Sequence, residues 1–136
     1  LCRLIYFSSV SSHLQESDLD DILAESIKRN ERDGITGLLA YDQFNFMQVL
    51  EGEEEAVNRL YLGITADPRH QDVRLIQYEQ IDHRQFDDWA MALAKLPEVP
   101  GNYINKLYGG FKPQLFSTRD ALIYFNFLRN YLKRAA

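Results

Sequence analysis

Residues 3–7, Arg-Leu-Ile-Tyr-Phe, form a largely apolar run close to the beginning of the chain. Its apolar side chains occupy both alternating positions, which is typical of a strand that is covered on both faces. The polar residues 8–17 then end the strand. Because such a strand needs a packing layer on each side, the rest of the chain must supply two layers of other elements.

Helices and strands are predicted to alternate along most of the chain. One helix begins at a capping-box pattern, Ser17 and Asp20, and ends at residue 33. A second helix follows the acidic residues 53–55, whose charge suits a helix N-terminus, and ends before Pro68. The second and third predicted strands form a hairpin, and the full set of strands is residues 3–7, 35–41, 44–51, 73–81 and 89–93.

This order predicts an α+β fold, the ferredoxin-like β-α-β-β-α-β sheet with an extra strand. Right-handed crossover places both helices on one face of the sheet. We expect one unit at residues 1–96, followed by a C-terminal helical extension at residues 97–136 that covers the other face. The extension contains a short helix and a longer one, whose wide apolar stripe can also reach a partner subunit and includes Ala121, Leu122, Phe125, Leu128 and Leu132.

Charge and composition exclude several classes of function. Fifteen Lys and Arg against twenty Asp and Glu give a net charge of −5 with no basic run, which disfavours binding to nucleic acid. The single cysteine, Cys2, cannot form an internal disulfide, and no apolar stretch approaches the ~20 residues of a membrane helix. We therefore expect a cytoplasmic protein without membrane contact. No zinc spacing, Gly-rich phosphate loop or Ser/His/Asp pattern occurs, so no metal site is predicted.

Three polar side chains lie where the pattern predicts apolar ones. Asn30 is the next position on the inward stripe of the first helix, Gln48 shares a strand face with apolar residues, and Tyr6 lies in the neighbouring strand. Each has an ordinary interpretation: an exposed amide at a helix end, a cap on a local backbone group, and a core tyrosine with a satisfied hydroxyl. Together they predict either a closed polar network or a cleft for a flat aromatic ligand with a polar edge.

Other groups are weaker candidates. The loop at residues 67–70, Asp-Pro-Arg-His, follows a helix and can bind phosphate, although surface loops often carry such residues. Trp89 and Met91 share one face of the predicted last strand, where core or lid packing is the simplest interpretation. The acidic cluster at residues 51–55 is interpreted as helix N-terminal charge.

Six short motifs occur in order along the chain: L-I-Y at 4–6, R-N at 29–30, G-I-T-G-L-L at 34–39, F-M-Q-V-L-E-G-E at 46–53, D-P-R-H at 67–70 and W-A-M at 89–91. Together they closely resemble the BLUF family, sensors of blue light using flavin. The resemblance covers roughly residues 3–94. No single motif is decisive, but their order and spacing make the combination specific.

The resemblance implies a flavin between the two helices: FAD, with FMN and riboflavin as alternatives. Asn30 corresponds to the residue that bonds the flavin C4 carbonyl and N3–H edge, Gln48 to the glutamine beside N5 and O4, and Tyr6 to the tyrosine bonded to that glutamine. The remaining flavin-contacting positions are Ile22, Ser26, Arg29, Arg69 and His70. Trp89 and Met91 correspond to lid residues that relay the signal.

The resemblance also implies a blue-light photoreceptor rather than an enzyme. Excited flavin would take an electron from Tyr6 and a proton through Gln48, and the rearranged amide would then shift the flavin absorption to the red. The expected output is a change at residues 97–134 that acts through a downstream protein partner or a homo-oligomer. Two alternatives stay open: an acylphosphatase-like hydrolase, although residues 8–17 lack the arginine it needs, and a flavin-less interaction module.

Overall fold

The computed structural model describes residues 1–12, 14–99 and 103–135, with the backbone alone for residues 103–105. The strands in the described residues are β1 (Cys2–Val10), β2 (Thr36–Tyr41), β3 (Asn45–Gly52), β4 (His70–Gln80) and β5 (Ala92–Lys95). The α-helices are α1 (Glu16–Asp33), α2 (Glu54–Ala66), α3 (Tyr103–Tyr108) and α4 (Thr118–Ala135). No helix in these ranges is long and apolar enough to cross a membrane.

The five strands form one sheet in the order β4-β1-β3-β2-β5. β1 is antiparallel to both β3 and β4, and β2 is antiparallel to β3. These four strands with α1 and α2 make the ferredoxin-like arrangement, and the extra strand β5 is parallel to β2. The predicted α+β fold class is therefore confirmed.

The sheet has an apolar cluster on each face, as the pattern of β1 predicts. Leu4 and Tyr6 point to the side of α1 and α2, where Leu19 and Leu60 also pack. Ile5 points to the opposite side, where the cluster includes residues of the C-terminal segment, namely Phe116, Ala121, Tyr124, Phe125 and Leu128. The helical extension thus covers the face that α1 and α2 leave bare.

The start of the last strand differs from the prediction. β5 begins at Ala92, and residues 89–91 precede it without regular secondary structure. Trp89 packs in the cluster that contains α4, whereas Met91 is buried in the cluster under α1 and α2. The prediction that Trp89 and Met91 share a strand face is wrong, because the alternation of side chains holds only where the backbone is extended.

The N-terminus of α1 also differs. The cap is Gln15, whose backbone N–H donates to Asp18 Oδ2 at 2.7 Å, so the predicted box at Ser17 and Asp20 lies two residues too late. β1 extends to Val10 and β4 starts at His70, because these two residues pair across the strands. Pairing with a neighbouring strand can extend a strand through polar residues such as Ser8 and Ser9.

Candidate functional site

Asn30 is held by the end of α1. Gly34 takes the left-handed conformation with φ of 70°, and the Ile35 N–H donates back to the Asn30 carbonyl at 2.9 Å. The Asn30 side chain is 0% exposed, so the ordinary interpretation as an exposed helix-end amide does not hold. Its Nδ2 donates to the Ala90 carbonyl at 2.9 Å, whereas its Oδ1 is buried without a partner among the described residues. A buried acceptor without a donor is costly, so this oxygen is suited to accept a hydrogen bond from a ligand.

Tyr6 and Gln48 form a buried pair at the centre of the sheet. They are opposite each other in the β1–β3 register, and the Tyr6 hydroxyl donates a short hydrogen bond to Gln48 Oε1. The Gln48 Nε2 donates to Met91 Sδ at 3.3 Å, so both ends of the amide are engaged. Burial raises the pKa of Tyr6 far above its usual value, which keeps the phenol neutral and able to donate.

Two adjoining cavities lie between α1 and α2. The inner cavity, of about 30 Å³, is lined by Tyr6, Ile22, Glu25, Ser26, Arg29, Leu39, Gln48, Ile64, Asp67, Arg69 and His70. The outer cavity, of about 210 Å³, is lined by Arg29, Arg32, Asp33, Ala56, Arg59, Leu60, Gly63, Ile64 and Asp67. They share Arg29, Ile64 and Asp67, and so form one groove. Pockets for larger ligands have volumes of about 300–1,000 Å³, so a flavin ring would need the groove to widen.

The structure brings most of the predicted flavin-contacting residues together. Seven of them line the inner cavity, and the eighth, Asn30, follows Arg29 in the chain but does not line it. The Nε of Arg29 is buried without a hydrogen-bond partner among the described residues, and its guanidinium reaches only Ser26 Oγ, at 3.4 Å. Of the two predicted relay residues, Met91 contacts the Gln48 amide and Trp89 packs on the opposite side of the sheet.

The loop at residues 67–70 is already engaged within the protein. Asp67 accepts several hydrogen bonds from the Arg69 guanidinium at 2.7–3.0 Å, and Arg69 also reaches Glu25 at 3.4 Å. The His70 ring lies 4.7 Å from Phe46, centroid to centroid. Burial lowers the pKa of His70 to about 4, so this ring is neutral at pH 7.

The sequence analysis did not predict a buried charged network around Glu51. Glu51, interpreted as helix N-terminal charge, is instead fully buried in β3 and accepts hydrogen bonds from Arg3 Nε at 2.8 Å and from the Phe86 N–H at 2.6 Å. It follows Met47 and Val49 on a face that is otherwise apolar. This alternation indicates that the Glu51 side chain points into the core. The acidic residues 53–55 that follow made Glu51 look like part of a surface cluster instead.

Residues 84–91, here called the 84–91 segment, connect this site with α4. Gln85 Nε2 donates to Asn126 Oδ1 at 2.9 Å. Asp88 accepts a short hydrogen bond from Arg129 and pairs with Lys133 at 3.3 Å. The same segment ends at Ala90 and Met91, which bond the Asn30 and Gln48 side chains.

Comparison with known proteins gives consistent matches. The model of the BLUF family, "Sensors of blue-light using FAD", matches residues 1–92. A photoactivated adenylate cyclase subunit beta of Euglena gracilis is 35% identical over 95 residues, which is 69% of this chain but 11% of that protein. The blue light- and temperature-regulated antirepressor BluF of Escherichia coli (strain K12) is 30% identical over 96 residues, 71% of this chain and 24% of that protein. This chain thus spans a small part of these relatives.

Among solved structures, the photo-activated state of BlsA matches with a TM-score of 0.83 and 32% identity, covering 94% of both chains. The dark state of BlrB, described as a BLUF protein, matches with a TM-score of 0.81 and 30% identity, covering 96% of both chains. The family model and the solved structures agree with the fold. This chain therefore belongs to the BLUF family of flavin-based blue-light sensors.

Proposed function

We propose that this chain is a blue-light photoreceptor that holds FAD in the groove between α1 and α2, with Tyr6 and Gln48 as its photochemical pair. The observation that carries this proposal is a buried chain of two hydrogen bonds. Tyr6 donates to the Gln48 amide, and the amide donates to Met91. A buried phenol and a buried amide each need hydrogen-bond partners, and here Tyr6 and Gln48 supply them to each other at the wall of the groove. The family description names FAD, which we take as the flavin bound here.

The residues of the groove suit a flavin. Ile22 and Ile64 supply apolar walls from the two helices for a flat ring. The unpaired Asn30 Oδ1 and Arg29 Nε are an acceptor and a donor that a polar ring edge can satisfy. The inner cavity must widen for the ring to enter, and Arg29, which lines both cavities, is the side chain best placed to move.

The chemistry of the pair follows from its hydrogen bonds. Bound flavin would supply the absorption of blue light and, once excited, an acceptor for one electron. A phenol that loses an electron becomes strongly acidic, so the Tyr6 proton would pass along its hydrogen bond to Gln48 Oε1. When electron and proton return, Gln48 can be left with its donor and acceptor ends exchanged, which breaks its present bond to Met91.

The 84–91 segment would transmit the change at Gln48 to α4. Loss of the Gln48–Met91 bond would release the C-terminal end of this segment, which is also bound to α4 through Gln85 and Asp88. Trp89 lies between these two points and packs beside α4. We propose that the altered packing of α4 changes an interface with a downstream protein or with a second copy of this chain.

An absorption spectrum taken before and after a blue flash tests the proposal. Wild-type protein should show a flavin spectrum with a small, reversible red shift. Tyr6→Phe and Gln48→Leu should keep the flavin and lose the shift. Tyr61→Phe is a matched control, because its ring lies 5.8 Å from the Tyr6 ring, and it should keep the shift. A full shift in Tyr6→Phe, or no flavin bound after reconstitution, would refute the proposal.

A further inference from the structure

Positive and negative charges are concentrated in different parts of this chain. Residues 103–136 contain six Lys and Arg but a single acidic residue, whereas residues 1–102 contain nine Lys and Arg and nineteen Asp and Glu. The acidic part includes α1, which lies on one face of the sheet, and the basic part includes α4, which covers the other. The molecule therefore presents an acidic helix on one side and a basic helix on the opposite side. Surfaces of opposite charge attract each other and guide association.

The outward face of α4 is basic. Four of its exposed residues follow helical spacing and form one stripe, which consists of Arg119, Ile123, Asn130 and Arg134. In the described part of the chain, no ion pair involves Arg119. The neighbouring carboxylate of Asp120 instead accepts a hydrogen bond from the Tyr108 hydroxyl at 2.7 Å. Ile123 is 39% exposed, so the stripe combines an unpaired cation with an apolar contact.

The outward face of α1 is complementary to this stripe. It exposes Asp20, Asp21 and Ala24 in a region without a basic residue, since the first cation of α1 is Lys28. Neither aspartate belongs to an ion pair among the residues that the structure describes. Ala24 is small, so an apolar side chain of another helix can approach the backbone of α1 closely at this position.

The spacings of the two stripes agree in one orientation. Ile123 follows Arg119 by four positions, and Ala24 follows Asp20 by four positions. If the two helices run parallel with Ile123 against Ala24, Arg119 lies beside Asp20. An antiparallel arrangement would instead place Arg119 beside Lys28, which is a contact between like charges. Charge and spacing together therefore favour the parallel arrangement.

We propose that the outward face of α4 binds the outward face of α1 in a second copy of this chain. Because the two faces differ, the contact is head-to-tail and leads to a ring or an open chain of copies. A nucleic acid fits α4 less well, since Arg129 and Lys133 are already bound to Asp88 and leave few cations for a phosphate backbone. The net charge of −5 does not prevent the contact, because salt screens charges farther apart than about 8 Å under physiological conditions. The inference goes beyond the flavin photochemistry and does not depend on it.

Sedimentation velocity in the dark, at several protein concentrations and two salt concentrations, tests the inference. Wild-type protein should associate beyond a dimer at low salt and dissociate at high salt. Arg119→Glu should weaken the association at least about tenfold, since a like charge then lies beside Asp20. The double variant Asp20→Arg, Asp21→Arg should be weakened to a similar extent. An equal mixture of the two variants should associate again, because each supplies the charge that the other has lost.

A matched control separates this contact from an effect of net charge. Arg74→Glu makes the same change in charge as Arg119→Glu, at an exposed position of β4. β4 is at the opposite edge of the sheet from β5, away from both stripes, so this variant should associate like the wild type. Circular dichroism of each variant shows whether it is folded, so that loss of association is not confused with unfolding.

Four results would overturn the inference. These are wild-type protein that stays monomeric at every concentration, a dimer that neither charge reversal weakens, equal effects of Arg119→Glu and Arg74→Glu, and a mixture of the two variants that does not associate. Monomeric wild-type protein that binds duplex DNA, and loses this binding in Arg119→Glu, would assign the basic face to a nucleic acid instead. The red shift after a blue flash should be the same in all variants, so the proposed function is tested separately.

Discussion

The buried carboxylate of Glu51 should be a main source of stability for the 84–91 segment, and Glu51→Gln tests this. Glu51 is fully buried and accepts hydrogen bonds from Arg3 and from the N–H groups of Gln85 and Phe86. The amide that replaces it keeps one acceptor, and its NH₂ group meets donors. Removing one partner of a buried ion pair costs roughly 3–5 kcal/mol. Because Arg3 keeps its contact with the partly exposed Glu79, we expect a loss at the lower end of this range.

The expected change in melting temperature follows from the length of the chain. At about 2.1 cal/mol/K per residue, unfolding of 136 residues has an entropy near 0.3 kcal/mol/K, so a loss of about 3 kcal/mol lowers the Tm by about 10 °C. Circular dichroism during heating measures this value. Below the transition, the red shift should persist, since Tyr6 and Gln48 are unchanged.

Glu79→Gln is the matched control for this measurement. Glu79 binds the same Arg3 guanidinium at 2.8 Å, but its side chain is 43% exposed. Solvent screens such a pair, so its loss should cost less than about 1 kcal/mol. Equal effects of the two substitutions, or a loss under about 1 kcal/mol for Glu51→Gln, would refute the reasoning from burial.

Two further predictions concern His70 and Asp88. The His70 pKa is lowered from 6.5 to about 4, so below pH 6.5 the unfolded chain binds a proton that the native protein does not. The stability of flavin-free protein should fall by on the order of 3 kcal/mol between pH 6.5 and 4, and His70→Gln should remove that part of the loss in urea titrations; an unchanged pH dependence would contradict it. Asp88→Asn should preserve the red shift but reduce the light-induced change in hydrogen exchange of α4, because it weakens the contacts to Arg129 and Lys133. An undiminished change in α4 would show that the signal takes another route.

The strand and helix order was predictable because each element carries its own periodicity. The apolar positions of β1 alternate between two faces that are both covered, and the structure has an apolar cluster on each. Tyr6 and Gln48 were found for the same reason, since alternation places them on one face and adjacent strands bring them together. Local patterns identify a site when it is built on regular elements.

Features built by irregular backbone or by distant residues were not predictable. The apolar residues 89–91 look like a strand in the sequence, but their backbone is irregular: Trp89 is half-buried beside α4, whereas Met91 is buried under α1 and α2. The partner of Glu51 is Arg3, 48 positions away in the chain. The arginines of the outer cavity come from two helices whose antiparallel packing only the tertiary fold sets.

The small free energies of the contacts that Met91 and Asp88 make limit how strongly light can act on α4. The signal enters as one neutral hydrogen bond, Gln48 to Met91, with a net value of about 1 kcal/mol. It reaches α4 through the partly exposed contacts of Asp88, each of which contributes about 0.2–1 kcal/mol. A ligand or switch can shift an equilibrium only by its differential free energy, and 1–2 kcal/mol corresponds to a factor of about 5–30. Illumination should therefore change the population of α4 arrangements severalfold rather than convert one fully into another, and a partner must discriminate between them to make the response complete.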